Sequence, residues 1–172
     1  MSQGTGKDEE FSEFYTSTWA RLFRTTYGVA GDRSLAEDAL QSAYAKAYGA
    51  WSTVRATDHP EAYVRRMAVN EVLNVFRRPW FRRERPGEPA DNLPAPSHEE
   101  ATLDREALWR AVTALPVRQR AVVVLRYYED LSEEEIARVL GCSRGTVKSQ
   151  AFDALRRLRV TDPALDPTGD AS

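Results

Sequence analysis

The stretch Leu131–Arg159, LSEEEIARVLGCSRGTVKSQAFDALRRLR, decides how this chain is to be read. Ser132 followed three residues later by Glu135 is a capping box, which satisfies orphan amides at a helix start, and Glu133 and Glu134 sit at the favourable end of the helix dipole. Ile136, Ala137, Val139 and Leu140 give that helix an apolar side. Gly141 can take the left-handed conformation that leaves a helix sharply, so the turn is Gly141–Ser143. Ser143 caps a second helix in which Val147, Ala151, Leu155 and Leu158 recur at three- and four-residue spacing and face inward. Its outer stripe is Arg144, Lys148, Phe152 and Arg156, flanked by Ser149 and Arg159. This pattern predicts a helix-turn-helix. The second helix, about 24 Å long, offers cationic and short polar side chains suited to a major groove. The other reading is a solvated basic helix, with Phe152 leaning on a neighbouring helix.

Upstream, the chain reads as more helices. Residues up to about Lys7 are expected to lack fixed structure. Phe11, Phe14, Tyr15, Thr18, Leu22 and Phe23 then follow a helical period to about Val29, where Gly28 and Gly31 end it. Asp32 and Ser34 open a second helix in which Leu35, Ala39, Ala43, Ala47 and Trp51 repeat at four, with Glu37, Asp38 and Gln41 on the opposite side. A short polar loop through Thr57, Asp58 and His59 leads to Pro60 at the first turn of a third helix, Pro60 to Arg78. Its buried side is Val64, Met67, Ala68, Val72 and Val75.

On another side of that helix, Arg66, Asn70, Asn74 and Arg77 fall within roughly 80° at 100° per residue. The stripe holds no carboxylate, and asparagine is a poor interior helix former. Amide groups can donate to and accept from base edges, and guanidinium groups grip phosphate. Tyr63, one turn ahead, and His59 offer planes on which unstacked bases could lie. A solvated polar face is the alternative.

From Pro79 to Glu100 lie five of the nine prolines, and apolar residues thin out, as in a linker. Leu103, Ala107, Leu108, Ala111 and Leu115 open a further helical stretch, and Pro116 starts another in which Val122, Val123, Leu125 and Tyr128 pack. The tail after Val160 is expected to fray. The fold class is therefore all-α: two small helical domains, residues 8–78 and 101–160, joined by a flexible linker at 79–100.

Composition narrows the function. Hydrophobic residues at 42% and charged residues at 29% fit a soluble globular protein with no membrane span and a cytoplasmic location. One cysteine, Cys142, excludes an internal disulfide and is expected to pack as a small hydrophobe in the turn. With two histidines there is no zinc-like set, no phosphate-cradling glycine loop and no nucleophile-base pair, so neither an enzyme nor a cofactor is expected. The net charge of −2 implies weak unaided DNA binding and a larger partner that brings the chain to its site.

These residues resemble a known family. LPVRQRAVVVLRYYEDLSEEEIARVLGCSRGTVKSQAFDALRRLR (115–159) looks like region 4 of the extracytoplasmic-function sigma factors of bacterial RNA polymerase. AEDALQSAYAKAYGAW (36–51) followed by HPEAYVRRMAVNEVLNVFRR (59–78) looks like their region 2. The likeness spans about residues 11–159 and is nearest the SigE-like group. It implies that Arg144, Thr146, Lys148, Ser149, Phe152 and Arg156 face a minus-35 duplex. Tyr63, Arg66, Asn70, Asn74 and Arg77, with the loop from Thr57 to Pro60, would serve capture of minus-10 bases. Glu37, Asp38 and Gln41 would dock on the clamp helices of the beta-prime subunit. Many family members carry tryptophan where Tyr63 stands. The implied partners are core RNA polymerase, through the beta-prime clamp helices and the beta flap, and promoter DNA. The chain shows no anti-sigma domain of its own, and whether a separate anti-sigma factor represses it is left open by the sequence. The competing reading is a dimeric helix-turn-helix regulator that binds an operator without polymerase.

Overall fold

The computed structural model describes residues 3–79 and 99–161, with side chains described for 4–79 and 105–160. The chain divides into two compact units, Met1–Pro86 and Gly87–Ser172. Among the described residues every regular element is helical.

The first unit is built from α1 (Gln3–Ala30), α2 (Arg33–Gly49), the short α3 (Trp51–Arg55) and α4 (Pro60–Arg77). α1 begins well before Lys7, against expectation. Tyr48 donates to Asp8 at 2.6 Å, Arg55 donates to Glu10 at 2.6 Å, and Lys7 Nζ lies 4.1 Å from the centre of the Tyr48 ring. Both partners, Tyr48 on α2 and Arg55 on α3, lie some forty residues away, so nothing local announces this anchoring. Gly28 is buried inside α1, and Gly31, at φ 69°, makes the exit on its own.

Asp32 caps α2 by accepting from the Leu35 amide at 2.8 Å. The helix ends at Gly49, so Trp51 does not continue its repeat of four but opens α3, where it is buried. The core runs through Leu22, Leu40, Ala43, Tyr44, Ala47, Trp51, Val54, Val64 and Ala68, with Phe11, Phe14, Trp19, Phe23 and Met67 packed around it. Around Trp51 the rings meet edge-on or tilted, Phe11 at 5.1 Å and Phe14 at 5.0 Å, geometries that suit the ring quadrupole. α4 contacts both α1 and α2, which moves its buried face to Val64, Ala68, Val69, Val72 and Leu73 and leaves Met67 and Val75 only partly covered.

The second unit comprises α5 (Glu99–Thr113), α6 (Val117–Val123), a π-helical turn (Val124–Tyr128), α7 (Glu133–Leu140) and α8 (Arg144–Thr161). α5 starts within the stretch expected to be linker; residues 80–98 and the Leu103 side chain lie outside the described residues. Ala107 and Leu108 are exposed, and the inner face of α5 begins at Ala111 and Val112, which pack with Leu115, Ala154 and Leu158. Pro116 stands just before α6, and buried Arg120 donates from Nη1 to the Thr113 carbonyl at 2.8 Å, tying the start of α6 to the end of α5. In the π turn the Glu129 amide donates to the Val124 carbonyl at 3.1 Å, one residue further back than in an α-helix. The wider turn shifts the phase of the helix, so Tyr128, expected to pack, is 56% exposed.

Candidate nucleic-acid interface

α7 and α8 form the helix-turn-helix in atomic detail. Ser132 Oγ accepts from the Glu135 amide at 3.2 Å, while Glu135 Oε2 accepts from the Ser132 amide at 2.8 Å, completing the capping box. Gly141 takes φ 64° and ψ 39°, the left-handed conformation that a side chain resists, and the Cys142 amide donates to the Ala137 carbonyl at 3.1 Å. Cys142 itself is only partly buried, not packed away as expected. Ser143 Oγ accepts from the Thr146 amide at 3.1 Å, which starts α8.

Val147, Ala151, Ala154 and Leu158 anchor α8 in the unit, and Leu155 is half-buried. Arg144, Lys148, Ser149 and Phe152 are exposed, Phe152 at 67%, so its ring does not lean on a neighbouring helix. Thr146 is half-buried, and its hydroxyl lies 3.0 Å from that of Ser143, within the cap. Arg156 is also exposed, but it lines a groove of about 520 Å³ with Ala111, Gln119 and Asp153. Repeats at four drift 40° per step on a helix of 100° per residue, which carries Arg156 away from Arg144.

On α4, Arg66, Asn74 and Arg77 are exposed and Asn70 is half-buried, its Nδ2 donating to the Arg66 carbonyl at 2.8 Å. Tyr63 is 38% exposed one turn earlier. The carboxylates of α4 are Glu61 and Glu71. Glu61 accepts from Arg21 at 3.0 and 2.7 Å, a two-pronged contact, and Glu71 pairs with Lys46. Both are thus answered by cations of α1 and α2, so they do little to cancel the positive field of Arg66 and Arg77. Thr57 donates to the Val54 carbonyl at 2.7 Å, which fixes the start of the loop leading to exposed His59. Asp38 and Gln41 are exposed on α2, and Glu37 is half-buried and pairs with Arg33 at 3.0 Å.

One feature escaped the sequence reading. Glu133, a favourable charge at the start of α7, also lies within ion-pair distance of Arg126, Arg144 and Lys148. With Glu133 itself these residues come from three elements, and no local pattern brings them together.

Two helical units, one of them bearing a helix-turn-helix, are the architecture of an all-helical, two-domain DNA-binding protein. Residues 14–82 match the family described as Sigma-70 region 2, and residues 105–158 match Sigma-70, region 4. The chain is 38% identical over 165 residues to the RNA polymerase sigma-E factor of Streptomyces coelicolor, covering 94% of this chain and 90% of that one. It is 39% identical over 158 residues to the sigma-E factor of Streptomyces antibioticus, covering 90% and 85%. With the ECF RNA polymerase sigma factor SigL of Mycobacterium tuberculosis it shares 31% over 160 residues, covering 90% and 89%. The fold is similar to that of the sigma factor RpoE solved with the anti-sigma factor NepR from Bartonella quintana, at TM-score 0.70 and 21% identity over 89% of this chain and 96% of that one. CnrH, solved with the cytosolic domain of CnrY, aligns at TM-score 0.61 and 20% identity over 93% and 92%. The chain belongs to the sigma-70 family of RNA polymerase sigma factors, in its extracytoplasmic-function group. That membership sets aside the free-standing dimeric regulator. No helix among the described residues is long and apolar enough to cross a membrane.

Proposed function

We propose that the chain directs core RNA polymerase in the cytoplasm to its promoters by two separate DNA contacts, and that it acts by binding rather than by catalysis. Residues 101–160 supply the minus-35 contact, through Arg144, Lys148, Ser149 and Phe152 on the exposed side of α8, with Thr146 at its cap and Arg156 further along. Residues 8–78 supply the minus-10 contact, through Tyr63, Arg66, Asn70, Asn74 and Arg77 on α4. Glu37, Asp38 and Gln41 meet the beta-prime clamp helices, and residues 79–100 link the two parts. The observation that carries this reading is the cationic, carboxylate-poor surface of α8 beyond a capped, glycine-turned helix-turn-helix.

A net charge of −2 makes each contact weak alone. Held by core polymerase at a set separation, the second contact becomes intramolecular, and its effective concentration rises accordingly. Strand opening then needs no ATP, because captured, unstacked bases shift the duplex equilibrium at a cost of about a few kcal/mol. An anti-sigma factor, as a separate chain, would act by covering these surfaces.

Co-elution of the purified chain with core polymerase, followed by run-off transcription from a promoter library, tests the proposal. The expected result is a stable complex that initiates at a shared pair of elements. Failure to co-elute, or tight operator-like binding by the chain alone, would overturn it.

A further inference from the structure

Glu133 occupies a position that the helix start alone does not explain. Its carboxylate lies 3.9 Å from Arg144 Nη2, 3.8 Å from Lys148 Nζ and 3.5 Å from Arg126 Nη1. The Glu133 side chain is 23% exposed, against 62% for Arg144 and 63% for Lys148. One shielded carboxylate therefore stands behind two open cations. Its neighbours are otherwise engaged: Glu134 pairs with Arg138 at 3.4 Å, and Glu135 closes the capping box.

Arg144 and Lys148 are like charges one helical turn apart, an arrangement that repels. Glu133 offsets that repulsion and keeps both side chains over the same face of α8. The separations are longer than those of tight charge-assisted hydrogen bonds, so an incoming group can reach the cations without first breaking a close contact. What the group carries then matters. A phosphate oxygen brought to Arg144 or Lys148 brings a full negative charge near the Glu133 carboxylate and is repelled by it. A neutral base edge in the major groove meets the same cations with little such penalty.

We propose that Glu133 is a specificity-determining residue: an internal counter-charge that suppresses sequence-independent phosphate binding by Arg144 and Lys148 and leaves their base contacts favoured. This rests on the reading of α8 as the minus-35 helix. Without the carboxylate, α8 gains affinity for any duplex and discriminates less.

The test uses the full chain and its complex with core polymerase, a duplex carrying the minus-35 element selected from the promoter library, and a scrambled duplex of equal length. Glu133→Gln is expected to raise affinity for the scrambled duplex about fivefold, to raise it less for the selected one, and to steepen the salt dependence on the scrambled duplex by about one phosphate contact's worth. Glu133→Asp keeps the charge and is expected to retain most of the discrimination. Glu134→Gln makes the same change in net charge one residue away and is expected to alter neither quantity. If Glu133→Gln matches Glu134→Gln, or lowers the melting temperature while the salt slope stays fixed, Glu133 has no such role. Lys148→Ala separates the two levels of the argument. If it weakens selected-site binding while Glu133→Gln does nothing, only the role of Glu133 fails; if it leaves both duplexes unaffected, α8 is not the DNA reader.

Discussion

The hydroxyls of Thr18 and Tyr44 lie 2.7 Å apart in the interior of the first unit, joining α1 to α2. Thr18 Oγ1 is also 2.6 Å from the Phe14 carbonyl, which can only accept. The single Thr18 proton therefore goes to Phe14, and Tyr44 donates to Thr18. This direction makes the two halves of the pair unequal. Thr18→Val leaves a buried phenol without its acceptor and is expected to cost about 1–3 kcal/mol. Tyr44→Phe leaves Thr18 bonded to Phe14 and is expected to cost about 1 kcal/mol. Urea denaturation of the full chain reads the difference, and equal losses would mean that the proton runs the other way.

The same phenol sets an alkaline limit. Burial pushes the Tyr44 pKa up from 10.0 to about 12. The folded state then holds the proton more tightly than the unfolded chain, so stability is full below pH 10 and is lost as pH rises toward about 12. Tyr44→Phe is expected to flatten that loss in pH-dependent denaturation. Tyr48, raised through its hydrogen bond to Asp8, contributes in the same direction.

At the turn of the helix-turn-helix, backbone conformation and capping make separable contributions. A Cβ at Gly141 would meet nothing within 4 Å, so Gly141→Ala is opposed by its φ of 64° alone and is expected to cost about 1 kcal/mol. Gly141→Asn should cost less, because asparagine tolerates this region. Ser132→Ala removes one half of the capping box and should cost about 1 kcal/mol. Amide hydrogen exchange along α7 and α8 measures all three; a larger loss for asparagine than for alanine would contradict the backbone argument.

The two proposed DNA surfaces should fail differently. Lys148→Ala and Arg144→Ala are each expected to weaken minus-35 binding and to reduce the salt slope by about 1, with attachment to core polymerase unchanged. Asn70→Ala replaces a poor interior helix former with the best one, so the first unit should stay folded. A fluorescent-base opening assay is expected to show slower melting at near-normal closed-complex affinity. Normal melting would remove Asn70 from the minus-10 surface.

Much of this was written in local chemistry. Ser132, Glu135, Gly141 and Ser143 act through hydrogen bonds and dihedral angles within a few residues of themselves, so the helix-turn-helix could be read from one dimension. The outward direction of Arg66, Asn74, Arg77, Lys148 and Phe152 also followed from helical period, because the opposite faces of α4 and α8 are apolar. What the tertiary structure alone decided depends on partners distant along the chain. The first turns of α1 are held by Tyr48 and Arg55; Met67 moves to the edge of the core and Tyr128 out of it because a neighbouring helix or a π turn changes the phase; and Glu133 meets Arg126, Arg144 and Lys148 only once three elements converge. Periodicity records which side of a helix is apolar, whereas the identity of the group facing a given charge is set by packing between segments whose spacing along the chain carries no trace of it.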